Sequence, residues 1–213
     1  MLGLEYFQAI WCVSGLTVRH GADRRVARYL SAQELRTGKA IDIPEPEAAR
    51  PFPLNERTLL VTFDAVSLLE ALGWQEPPHV IDLFAEYRTA TNGLEDRSRQ
   101  PTEGPDLCKT AAHFGLPTDG LLAREYFDFA SLTDAGHHCR SAIALMPALM
   151  ARVLHTPFAL RRGAYAASVA AIQHRGIPMG RDLLEQAGEL HARLRDVADK
   201  EYSGLFDGDR LQR

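Results

Sequence analysis

Residues 58–63 read TLLVTF, a short and nearly continuous apolar run, which is the pattern of a strand covered on both faces. Such a strand needs helices packed against its sheet, and the chain supplies one at once. DAVSLLEALGW places Val66, Leu69 and Leu72 at helical spacing and stops at Gly73. PPHVIDLFAEYRTATNG repeats the theme, a buried strand running into a helical turn that closes on a glycine. Upstream, FQAIWCVSGLTV and RVARYLSAQEL are rich in aromatic and β-branched residues and flank RHGADRR, which predicts paired strands joined by a hairpin. The prolines and charges of AIDIPEPEAARPFPLNE predict a surface connection between this hairpin and TLLVTF.

Beyond the polar, turn-rich loop LEDRSRQPTEGPD the pattern turns helical. DLCKTAAHFGLP predicts a helix capped by Asp106 and ended by Gly115 and Pro117. LLAREYFDFASL and AGHHCRSAIALMPALMARVL continue the helical pattern, with Pro147 expected to kink or split the second. ALRRGAYAASVAAIQHRG places Tyr165, Val169 and Ile172 on one face. A last helix from near Asp182 sets Leu183, Ala187, Leu190, Leu194 and Val197 in alternating steps of four and three, the seam of a helix that packs lengthwise on another. The final YSGLFDGDRLQR is expected to trail off as polar residues. Strands interleaved with helices and then an all-helical stretch predict an α/β core carrying a helical extension.

With 46% hydrophobic and 24% charged residues over 213 positions, the composition is that of a globular chain rather than a disordered one. A net charge of -4 excludes coating of nucleic acid by bulk electrostatics, so any such contact must use local basic patches. Three cysteines without a C-x-x-C pair predict reduced thiols rather than a zinc or disulfide framework. The apolar start lacks a basic region and carries Glu5, and no apolar run reaches the length of a membrane span, so a cytoplasmic protein is expected.

Four phrases are more specific than these patterns: LEALGWQEPPHVIDLFAEYRTATNG, LCKTAAHFGLP, HCRSAIALMPALM and LRRGAYAASVAAIQHRGIPMGRDLL. They occur in the order of similar phrases in bacterial family A DNA polymerases, across the 3'-5' exonuclease-like domain and its helical exit toward the polymerase. The chain resembles that region from about residue 11 to residue 194, closely in the central phrases and loosely at the N-terminal end. The resemblance implies an RNase H-like (DnaQ-like) exonuclease fold, a central mixed sheet flanked by helices with a C-terminal helical extension, and a groove for a single strand. It implies a degenerate exonuclease-like domain over residues 1–155, and over residues 156–213 an extension resembling the exonuclease-polymerase connection, without the polymerase domain.

Active members of that superfamily hold two divalent metals with four carboxylates. Two hard cations close together need several anionic oxygens; one cation makes hydroxide from water and the other stabilises the leaving oxygen. The resemblance places the first motif, Asp-x-Glu, within WCVSGLTV, where Ser14, Gly15 and Leu16 stand instead. It places the second-motif aspartate at Asp64 in VTFDA. In GHHCRSAIAL it aligns His138 with the third motif's tyrosine or histidine and Ala142 with its aspartate. One surviving acid does not balance two magnesium ions, so lost catalysis is expected, with Asp64, Asp82, Glu86 and His138 as vestigial candidates. No metal or cofactor is expected; the alternative is magnesium or manganese in a site rebuilt from Asp64, Asp82 and Glu86.

His137, His138 and Cys139 read better as structural residues than as ligands, because adjacent helical positions point apart. Asp82 and Glu86 would share a helical face, but Asp82 also suits a cap on LFAEYR, with Glu86 pairing with solvent or an arginine. Asp119, Glu125, Asp128 and Asp134 are further acids that a rebuilt metal site could recruit, though they read better as ordinary exposed acids, and Cys108 reads as a buried thiol. Arg19, His20, Arg24, Arg25 and Arg28 sit within one hairpin, and either follow a phosphate backbone or form a solvated turn. Arg161, Arg162, His174 and Arg175 form a second basic set. The expected function is a catalytically inactive exonuclease-like module that binds nucleic acid, such as single-stranded DNA, or scaffolds a nucleoprotein complex. The seam of the last helix either folds back on the core or docks a protein partner, and no membrane contact is expected. The alternatives are a divergent active metal-dependent 3'-5' DNA exonuclease and a protein-interaction subunit without nucleic-acid contact.

Overall fold

A computed structural model describes residues 4–20, 24–46, 53–91, 106–154, 158–175, 181–204, 206–207 and 210–211. Its centre is a mixed five-stranded sheet: β1 (Ala9–His20), β2 (Arg24–Glu34), β3 (Ala40–Pro44), β4 (Thr58–Thr62) and β5 (Val80–Asp82), in the order β3-β2-β1-β4-β5. β2 runs antiparallel to β1 and to β3, whereas β4 runs parallel to β1 and β5 parallel to β4. This is the α/β architecture, a mixed sheet flanked by helices, that the sequence predicts. The helices are α1 (Ala65–Ala71), α2 (Leu83–Thr91), α3 (Leu107–His113), α4 (Leu132–Val153), α5 (Ala159–Arg175) and α6 (Arg181–Gly204).

β4 explains why the sheet is covered on both sides, since all five of its residues are buried. Leu59 and Val61 point into a cluster with Ala142, Met146 and Leu149 of α4, and Leu60 points into the opposite cluster with Leu68 and Leu69 of α1 and Ala170 of α5. Full burial of each such side chain contributes about 1.5–3 kcal/mol, so one short strand ties two helical layers together. α4 begins at a capping box in which Ser131 and Asp134 satisfy each other's backbone N–H groups. It then buries Ala135, Cys139, Ala142, Met146 and Leu149, one stripe at steps of four and three, with His138 buried beside it.

Two glycines set close approaches. A Cβ on Gly163 of α5 would collide with the carbonyl of Val80 in β5, and one on Gly15 of β1 would collide with Ala71 of α1. The chain forms two compact units, Met1–His174 and Arg175–Arg213. In the second, α6 is accompanied by a two-stranded ladder of β6 (Phe206–Asp207) and β7 (Arg210–Leu211).

Several expectations need correction. The predicted surface connection begins as edge strand β3, where Ile41 and Ile43 alternate with more exposed neighbours against β2. The prolines and charges downstream hid that period-two pattern. REYFDF is not α-helical but a 3-10 helix, Arg124–Phe129, separated from α4 by the cap at Ser131. Pro147 does not split α4, which runs continuously through it. α5 buries Gly163, Ala167, Ala170 and Ala171 instead of the predicted face, leaving Tyr165 and Ile172 exposed. Close contact with the sheet selects small residues over large apolar ones. The chain end holds β6 and β7 where only trailing polar residues were predicted.

Candidate functional site

The first unit carries a cleft where β1 and the end of β4 meet α4, with about 40 Å³ of free space. β1 contributes Ser14 and Gly15, and the β4–α1 junction contributes Thr62, Phe63, Asp64 and Ser67. The 3-10 helix brings Arg124 and Phe127, and α4 brings His138 and Met146.

Asp64 is the N-cap of α1. Its carboxylate accepts from the backbone N–H groups of Val66 at 3.2 Å and Ser67 at 3.3 Å, and from the Ser67 hydroxyl at 2.6 Å. These bonds engage most of its acceptor capacity and fix it to the helix start. Asp82 lies behind it at the end of β5, 5% exposed, accepting from the N–H of Ala65 at 2.9 Å and of Ala85 at 2.9 Å. It therefore caps α2, one of the readings its position in the sequence suggested, and also holds the first turn of α1. Burial, reinforced by the charge of Asp64, raises the Asp82 pKa to about 7.

Glu86 leaves this group altogether. It is 1% exposed and accepts two bonds from Arg162 of α5, at 2.5 Å from Nε and 2.6 Å from Nη2. Asp82 and Glu86 are thus not a carboxylate pair on one helical face: Asp82 closes a strand and faces two helix starts, while Glu86 is latched to another helix. Among the described residues no three His, Cys, Asp or Glu side chains gather as a group able to hold a metal ion.

His138 is buried, and its Nδ1 accepts the backbone N–H of Leu122 at 2.9 Å. Because that partner is a donor, the ring proton sits on Nε2. Burial lowers the His138 pKa to about 4, so the ring is neutral near neutral pH. Phe127 packs against it, ring centroids 5.0 Å apart. Of its neighbours, His137 is exposed, and Cys139 is buried in a cluster with Leu16 and Tyr29, its thiol pushed up to about 12 by burial.

At the first-motif positions Ser14 and Gly15 reach the cleft, while Leu16 is fully buried in an apolar cluster. Ala142 is buried in the α4 cluster rather than lining the cleft, where Met146, one turn later, takes part. Of the four vestigial candidates, the fold therefore brings only Asp64 and His138 into one cleft. Arg124, Phe127, Ser67 and Met146 were missed. Arg124 and Phe127 were assigned to a continuing helix, and nothing in spacing alone marks Ser67 or Met146.

The basic residues divide. The β1–β2 register sets Arg19 opposite Arg25 and His20 opposite Arg24, in a ladder shifted between Leu16 and Thr17. Arg28, beside that irregularity, pairs with exposed Glu45 at 2.7 Å. Arg161 is exposed over the Phe158 ring, Arg162 is committed to Glu86, and Arg175 is exposed at the end of α5. Asp119, Glu125 and Asp128 are exposed, and Asp134 is the capping-box acid. Cys108 is half-buried, its thiol raised by burial and by nearby Asp106 and Glu125. No described helix is long and apolar enough to cross a membrane.

No family model matches the chain, and no curated protein matches it. A solved structure described as the apo form of a nuclease aligns with 79% of this chain and 83% of its own, at 15% identity and a TM-score of 0.42. Likeness at that level assigns neither fold nor function.

Proposed function

We propose that this chain is a catalytically inactive, exonuclease-like module that binds nucleic acid through local basic patches. The carrying observation is the chemistry of the cleft: its one carboxylate among the described residues, Asp64, is engaged by three hydrogen bonds as a helix cap. Two-metal hydrolysis needs several anionic oxygens converging on the cations. At the other positions that the sequence resemblance assigns to metal-binding acids stand Ser14, Leu16 and Ala142, which supply no charge to offset a dication.

Nucleic-acid contact is supported by the β1–β2 hairpin. Its register brings Arg19 opposite Arg25 and His20 opposite Arg24, which concentrates basic residues at one end of the hairpin, the local patch a phosphate backbone needs. The exposed Leu190, Leu194 and Val197 of α6 leave an apolar seam suited to a protein partner of a larger nucleoprotein assembly. The test is a salt titration of a labelled single strand against the purified protein. Binding that weakens steeply with salt supports the reading, and absence of binding at low salt overturns it.

A further inference from the structure

Resting on the reading of the chain as a nucleic-acid module, we propose that the outer end of the β1–β2 hairpin seats in the major groove of duplex DNA, where basic residues on both faces of the ribbon meet the phosphates of both groove walls.

The hairpin outruns its sheet. β4 pairs with β1 only over residues 9–12, and β3 pairs with β2 only over residues 29–33. Beyond those stretches Thr17, Val18, Arg19 and His20 pair with Ala27, Val26, Arg25 and Arg24, and among the described residues no third strand joins them. Arg28 is the extra residue where the register shifts between Leu16 and Thr17, an irregularity of the kind that bends a strand and sharpens its twist. At the base of this arm the Thr17 hydroxyl donates to Glu70 of α1 at 2.6 Å, which ties the ribbon to a helix.

The distribution of charge decides the class of partner. On an antiparallel ribbon directly opposite positions share a face, and successive pairs alternate between faces. Positions 19 and 25, both arginine, therefore belong to one face, and His20 and Arg24 to the other. A single strand laid along such a ribbon meets one face and leaves the basic residues of the other without phosphates. A duplex groove has a phosphate wall on each side and engages both. Dimensions agree with this choice. The three steps from position 17 to position 20 span about 10 Å, and the major groove of B-form DNA, about 12 Å wide and about 8.5 Å deep, admits a two-stranded ribbon. The deep, narrow major groove of duplex RNA does not. With a net charge of -4, the chain as a whole gains nothing from a polyanion, so the contact is confined to the arm.

The test titrates the full chain by fluorescence anisotropy, at several salt concentrations, against a labelled DNA duplex, a single strand of the same sequence and the corresponding RNA duplex. The DNA duplex should bind about tenfold tighter than either of the others. Arg19→Ala and Arg24→Ala, one from each face, should each weaken duplex binding and reduce the slope of log affinity against log salt by about 0.9, with circular dichroism unchanged. Netropsin, which fills the minor groove, should leave duplex binding intact. A single strand or RNA duplex bound as tightly as the DNA duplex, a loss from only one of the two variants or from neither, or displacement by netropsin overturns the groove assignment and leaves the broader nucleic-acid reading standing. No binding of any of the three probes at low salt removes that reading itself, and this proposal with it.

Discussion

Asp82 and His138 are buried groups that titrate in opposite senses, and stability should record both. The Asp82 pKa is raised from an ordinary 3.8 to about 7, so its contribution is full below the unfolded value and is lost as pH rises through the folded one. The His138 pKa is lowered from 6.5 to about 4, so its contribution is present above the unfolded value and is lost as pH falls through the folded one. Over the window they share the two slopes oppose each other. Asp82→Asn, which keeps an acceptor for one backbone N–H, should remove the fall of stability between pH 4 and 7 and expose the rise due to His138. Urea midpoints across that range check it, and an unchanged profile would refute the assignment for Asp82. Glu86 gives a larger effect. Arg162→Met leaves a carboxylate buried without its partner and should cost about 3–5 kcal/mol, whereas Glu86→Gln combined with Arg162→Met should recover much of it. Equal unfolding midpoints for the single and double variants would show the pair to be uncoupled.

At the scale of elements, much of the fold was legible because strong periodicities agreed with their caps. TLLVTF became β4, Asp64 and Asp106 cap α1 and α3, and the hairpin strands pair as their β-branched content predicts. The misses share a cause: tertiary contact overrode local pattern. α5 presents small residues because Gly163 must approach the Val80 carbonyl, and no sequence period announces that constraint. Gly163→Ala should therefore destabilise the protein by about 1–3 kcal/mol although alanine is the better helix former. A stabilised variant in urea unfolding would place α5 differently. The site was only partly legible for the same reason. His138 and Asp64 came from motif position, but Arg124 reaches the cleft through a 3-10 turn that reads as helix. Asp82 and Glu86, four residues apart, read better as a cap and an arginine partner than as one pair, and Asp82 does cap α2 while Glu86 pairs with Arg162.

At the scale of the whole molecule, an acidic chain with net charge -4 meets a polyanion only where its cations are concentrated. The proposed function puts that place at the β1–β2 hairpin, whose register sets Arg19 opposite Arg25 and His20 opposite Arg24. Charge reversal at Arg24 and Arg25 should weaken strand binding about tenfold or more and flatten its salt dependence, with circular dichroism unchanged. Unaltered affinity would move the contact away from the hairpin and favour a purely protein-binding role. The proposed inactivity rests on the cleft, whose one carboxylate among the described residues is engaged as a cap and is not expected to assemble paired cations. Its most direct test is a time course of an end-labelled single strand with the purified protein in magnesium and, separately, manganese. Full-length strand throughout is the expected result, and a ladder of shortened products that disappears with Asp64→Asn would contradict it.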